Sequence, residues 1–161
     1  MLSKLYERTH GGSQAALDAL YRDVFIPLGM HHSVLEVDPS GSFVGSSYIY
    51  ATARDWARLG QLMLNDGELN GHRIVEPSWV QAAQIPNTSV NEPGYAQQFW
   101  LNTNGETLRW PQLPEDAYAM MGNREQVVMV IPSRKAVLVR LGWSSGAYPT
   151  AANFQAVLAA L

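Results

Sequence analysis

The chain has 161 residues, 47% of them hydrophobic, and a net charge of −3 from 11 basic and 14 acidic side chains. Such a length and composition suit one folded domain with a real core rather than a disordered tail. The charge balance, with no run of one sign, removes the main electrostatic support for binding nucleic acid or an anionic membrane. The lack of cysteine excludes disulfides, thiolate catalysis and Cys-ligated zinc.

In chain order, Met1 to His10 is mixed and polar, without the apolar core of a signal peptide. No apolar run approaches the roughly 18–20 residues of a membrane span. Ser13 can cap a helix from about Gln14 to Ile26, with Leu17, Leu20, Tyr21, Val24 and Leu28 as one apolar stripe and Pro27 and Gly29 ending it. Residues 31–51 read as loop. Thr52, with Asp55 three residues on, resembles a capping box and opens a second helix whose buried face is Trp56, Leu59 and Met63. Asn65-Asp66-Gly67 stops it.

Glu68 to Arg73 reads as a hairpin turning at Asn70-Gly71. Pro77 opens a short helix through Ala83. Pro86 to Pro93 is a polar loop, Gln98 to Asn102 a strand, and residues 103–116 another loop. Two firm strands follow, Gln126 to Ile131 and Ala136 to Leu141, joined by the turn Pro132-Ser133-Arg134-Lys135. A last helix, capped by Thr150, carries the stripe Phe154, Val157, Leu158 and Leu161. The order predicts an α+β fold: helices first, then antiparallel strands, then a closing C-terminal helix, without the βαβ alternation of a nucleotide-binding sheet.

The four histidines, His10, His31, His32 and His72, form no metal-binding spacing, so neither a metal nor a cofactor is expected. Gly-x-x-x-x-Gly-Lys and Gly-x-Gly-x-x-Gly are both absent. So is Ser-x-x-Lys, in which a lysine one helical turn after a serine can accept its hydroxyl proton. The nearest spacings, Ser3-Lys4 and Ser133-Arg134-Lys135, place the amine wrongly, and no Tyr-x-Asn occurs.

Several segments nonetheless form a recognisable series. They are Phe25-Ile26-Pro27-Leu28-Gly29-Met30, Gly45-Ser46-Ser47-Tyr48 leading into Ala51 to Gly60, and Asn65-Asp66-Gly67 with Gly71-His72-Arg73-Ile74 and Trp79-Val80. Gly94 to Asn102 and Gln126 to Leu141 follow. In this order they resemble the serine β-lactamase-like hydrolases, the penicillin-recognising group that also holds esterases, D-amino-acid peptidases and 6-aminohexanoate-dimer hydrolases. The last subgroup is the most similar. The resemblance runs from about Leu17 to the C-terminus.

It implies a partial β-lactamase-like domain over residues 1–161, whose nucleophile-bearing N-terminal part lies upstream. The parent would cleave a small-molecule amide or ester through an acyl-serine. This chain alone would hold no catalytic residue and no turnover. The resemblance places a third motif at Met121 to Gln126, where relatives show Gly-His-x-Gly-Gln; Asn123 stands at the His position and Glu125 at the second Gly. Gly122, Asn123 and Arg124 are the expected cleft lining, with Ser46, Ser47 and Trp100. The bland alternatives are loop hydrogen bonding for Ser46 and Ser47, packing for Trp56, Trp79 and Trp100, and a helix-start role for Arg54-Asp55. A different reading is a non-catalytic homologue that binds a partner or forms a homo-oligomer through an exposed sheet face.

Overall fold

The computed structural model describes residues 2–103 and 105–161. Two short helices open the chain, α1 (Leu2–His10) and α2 (Ser13–Leu20). A π-helical turn over Tyr21–Phe25 and the three-residue α3 (Ile26–Leu28) continue the second. Gly12 rather than Ser13 holds the N-cap position of α2, and Ser13 is already helical. Ala16, Ala19, Phe25 and Leu28 are the buried residues here, whereas Leu17, Leu20, Tyr21 and Val24 are half-buried. Tyr21 and Val24 of the expected stripe pack at the margin of the cluster that holds Phe25, Leu28 and Met30. Gly29, at φ 71°, closes the run in the left-handed cap that residues with a Cβ avoid.

The stretch expected to be loop contains a two-stranded ribbon, β1 (Val34–Leu35) with β2 (Ile49–Tyr50), and a bridge between Val37 and Phe43. Next, α4 (Ala53–Leu64) begins as the capping box predicts. Asp55 N–H donates to Thr52 Oγ1 at 3.2 Å, and the Thr52 hydroxyl donates to Asp55 Oδ2 at 2.8 Å. A hairpin of β3 (Glu68–Leu69) and β4 (His72–Arg73) turns on Asn70 and Gly71, both at positive φ. Then α5 (Pro77–Ala82) starts with its proline in the first turn.

The centre is a four-stranded antiparallel sheet in the order β5 (Trp100–Leu101), β6 (Tyr118–Gly122), β7 (Gln126–Ile131), β8 (Ala136–Arg140). Gln98 has φ 68°, so the first of these strands is shorter than the expected Gln98 to Asn102. Val127, Met129 and Ile131 of β7 pack with Ala119 against Phe154 and Leu158 of the closing helix α6 (Thr150–Ala159). On the other face Tyr118 and Val130 pack with Met63 of α4 and Val80 of α5. Helices cover both faces, and that is why β7 is apolar at five consecutive positions rather than alternating. The approach of α4 to the sheet requires Gly60, since a Cβ there would overlap Val137 Cγ1 and come within 3.1 Å of Val128 Cγ1.

The ends of the elements deviate from expectation by a residue or two. Val157 and Leu161 of the predicted last stripe are exposed. Among the described residues, no helix is long and apolar enough to cross a membrane.

Candidate cleft wall at the end of the sheet

The pairing of Gly122 with Gln126 leaves Asn123, Arg124 and Glu125 as the β6–β7 turn. Arg124 and Glu125 are both left-handed, at φ 62° and 64°. An open depression of about 350 Å³ lies against this turn. Its far side is Ser144, Ser145 and Gly146, from the segment between β8 and α6. Gly122, Asn123 and Arg124, expected together from the sequence, do line one site. Their side chains and backbone are exposed, and the Arg124 guanidinium carbon rests 5.1 Å from the centre of the exposed Trp143 ring.

Side-chain hydrogen bonds tie the two sides together. Gln126 Oε1 accepts from Gly142 N–H at 2.9 Å, and Gln126 Nε2 donates to the Gly142 carbonyl and, at 3.4 Å, to that of Arg124. Ser144 N–H donates to the Arg124 carbonyl at 3.4 Å. Arg140 donates to the carbonyls of Arg124 and Glu125 and to Ser144 Oγ. Neither Arg124 nor Glu125 forms an ion pair among the described residues. Two opposite charges therefore stand uncommitted beside the depression.

The other expected lining residues lie elsewhere. Ser46 and Ser47 are exposed on the loop before β2, where Ser47 N–H donates to the Val44 carbonyl at 3.0 Å. The neighbouring Gly45 N–H donates to Ser3 Oγ of α1 at 2.9 Å. None of these bonds reaches the β6–β7 turn. Trp100 pairs with Ala119, three residues before Gly122 and thus about 10 Å along the strand. It packs at the margin of the α6-side core, with its ring 4.7 Å from Tyr95 and 4.4 Å from the Arg109 guanidinium carbon.

The lining by Ser144, Ser145 and Gly146 was not singled out from the sequence. A serine pair bracketed by Gly142 and Gly146 directly after an apolar strand is the signal that could have found it. A Ser-x-Asn triplet, Ser89-Val90-Asn91, has the spacing of Tyr-x-Asn with serine in place of tyrosine. It is a local turn in the polar loop after α5, with Asn91 N–H on Ser89 Oγ at 3.3 Å.

Away from the depression, Asp55 is fully buried at the start of α4, with Arg58 Nη1 at 2.9 Å and His32 Nδ1 at 3.8 Å. Burial raises its pKa, but hydrogen bonds from Thr52 and the charges of His32 and Arg58 outweigh it, and the net value lies below that of an ordinary carboxylate. Arg58 also lies against Gly29, 3.4 Å from where a Cβ would stand. The Asp55–Arg58 pair therefore fastens the start of α4 to the α3 turn.

The sequence profile described as Beta-lactamase matches residues 1–160. The chain belongs to the Beta-lactamase family. A curated relative, the 6-aminohexanoate-dimer hydrolase of Paenarthrobacter ureafaciens, is 28% identical over 83 residues, covering 45% of this chain and 21% of that protein. A solved Bacillus anthracis protein provisionally assigned as a 6-aminohexanoate-dimer hydrolase superposes with a TM-score of 0.74 at 23% identity, over 99% of this chain and 40% of its own. A Bacteroides dorei DSM 17855 protein provisionally assigned as a β-lactamase superposes with a TM-score of 0.56 at 14% identity, over 89% of this chain and 53% of its own. The α+β fold, a partial β-lactamase-like arrangement closed by a C-terminal helix, is thus shared with both solved structures. The chain spans about half or less of the length of each of these proteins.

Proposed function

We propose that residues 1–161 form one partial domain that supplies a wall of the substrate cleft in a β-lactamase-family serine hydrolase. The reaction is cleavage of a small-molecule amide or ester through an acyl-serine. The serine and its proton-accepting lysine would come from residues outside these 161, because no Ser-x-x-Lys occurs within them. The observation that carries the reading is the polar depression at the end of the family's sheet, where Gly122, Asn123 and Arg124 stand together. Asn123 can donate a hydrogen bond to a bound carbonyl or carboxylate, and a backbone N–H of this turn can stabilise a developing oxyanion. The similarity to 6-aminohexanoate-dimer hydrolases favours a linear amide as the substrate.

The test is hydrolysis of nitrocefin and of p-nitrophenyl esters by the purified chain, alone and mixed with a Ser-x-x-Lys-bearing segment of a family member. The reading expects no turnover from the chain alone. Turnover that disappears on mutation of a serine within residues 1–161 would overturn it.

A second reading, a binding or self-associating module without catalysis, draws on the outer strand β8. Its outer edge pairs with no strand among the described residues, and Leu141 and the 81%-exposed Trp143 follow it into solvent. An open edge of this kind templates association. It expects a homo-oligomer by light scattering, and a monodisperse monomer would count against it.

A further inference from the structure

Arg140 is half-buried and engaged by several groups at once. One amino group donates to the carbonyl of Glu125 and, at 3.4 Å, to that of Arg124; the other donates to Ser144 Oγ at 2.7 Å. The guanidinium carbon lies 3.7 Å from the centre of the Tyr148 ring. The backbone at Gly142 runs so close that a Cβ there would stand 2.5–2.7 Å from three guanidinium atoms, and a side chain at this position would push the guanidinium aside. Arg140 also belongs to β8, and its position is fixed by pairing with Val127.

The two carbonyls that it receives belong to the two consecutive left-handed residues of the β6–β7 turn. Neither is glycine, and a Cβ makes that backbone unfavourable. Such a conformation persists where its surroundings over-determine it. A charged amino group, Nη1, donating to both carbonyls while its twin Nη2 holds Ser144, is a determinant of that kind. The same guanidinium grips Ser144, on the opposite side of the depression.

We propose that Arg140 is a positioning residue. Its guanidinium locks the Arg124–Glu125 turn left-handed and draws the Ser144 segment against it. Asn123 and Arg124 then face the depression in a single geometry. The functional meaning rests on the cleft reading above; the clamp itself is a property of this chain.

The test is NMR spectroscopy of the isotope-labelled 161-residue chain, as wild type, R140M and R140M/E125G. In R140M, the amide signals of Asn123, Arg124, Glu125, Ser144 and Ser145 should move or broaden, and Arg124 and Glu125 should lose their left-handed carbon shifts. The amides of β7 should stay in place. Glycine adopts left-handed backbone freely, so R140M/E125G should recover the turn signals while Ser144 and Ser145 stay perturbed. Unchanged signals at both walls in R140M, or no recovery of the turn in the double variant, overturns the proposal. Should R140M fail to fold, S144A removes only the second wall's contact; it should disturb residues 144–146 and leave residues 123–125 alone. An undisturbed 144–146 segment there overturns the proposal as well. These signals are read without turnover, so a failed clamp and a failed hydrolase are separate results.

Discussion

The central sheet and the N-terminal helix α1 are anchored by different physics, while Phe25, Leu28 and Met30 between them form an apolar cluster with Leu62 and Leu69. In the sheet, β7 buries alternate side chains against α6 and against α4 with α5, and Met129, Val130 and Ile131 have no exposed surface. That burial is non-directional and shared over two faces, so the arrangement is over-determined. The helix α1 leaves Leu2 and Leu5 largely in solvent, and Val34 of β1 is 60% exposed. What fastens α1 there is polar. Lys4 Nζ donates to Glu7 Oε2 at 3.0 Å and to Ser42 Oγ, and Ser42 Oγ donates to Glu7 Oε2 at 3.3 Å. The lesson is that one chain can carry a core that tolerates little change beside a segment that contributes few apolar contacts of its own.

Substitutions should sharpen this contrast. The largest effect is expected at Met129, fully buried on the α6 face; Met129→Ala should cost about 3–4 kcal/mol of unfolding free energy in urea. Next comes Asp55→Asn, which disturbs the Thr52 cap and the Arg58 pair, at about 2 kcal/mol at neutral pH. Its pH dependence has a definite sign. The folded carboxyl lies below its unfolded value, so its contribution is present above that value and is lost as pH falls through the folded one. The wild-type chain should therefore lose stability more steeply below about pH 4 than Asp55→Asn does, which acid titrations followed by circular dichroism would show.

Gly60→Ala should cost about 1 kcal/mol, since overlap with Val137 and Val128 exceeds the gain in helix propensity. Leu5→Ala should change stability by less than about 0.5 kcal/mol, as expected for an exposed side chain. A large effect at Leu5 with a small one at Met129 would reverse the comparison.

The sheet region was also the more legible. The run Gln126 to Ile131, the Thr52–Asp55 box, the Asn70-Gly71 hairpin and the Pro77 helix start are local signals, and each element forms where its residues point. What escaped depends on tertiary contact. The β1–β2 ribbon has only two residues per strand, too few for a period to register. The buried face of α2 was misread because its closest contacts are made by the small Ala16 and Ala19, whereas the expected stripe followed the larger Leu17 and Leu20. Strand β6 was passed over as an element because Ala117, Tyr118 and Ala119 adjoin a proline-rich loop and lack a β-branched run.

At the candidate site, Gly122 to Arg124 came from the resemblance, which places the family's third motif there. Their partners Ser144 and Ser145 come from some twenty residues downstream and were not singled out. Trp100 was placed among the lining residues, whereas register sets it about 10 Å along the sheet from Gly122.

The most direct test of the central claim, that this chain holds cleft wall but not nucleophile, is the intact mass of the folded chain after exposure to a fluorophosphonate and, separately, to a penicillin. The account predicts an unchanged mass with both, in protein whose circular dichroism shows it folded. A stoichiometric adduct mapping to one serine within residues 1–161 would contradict it.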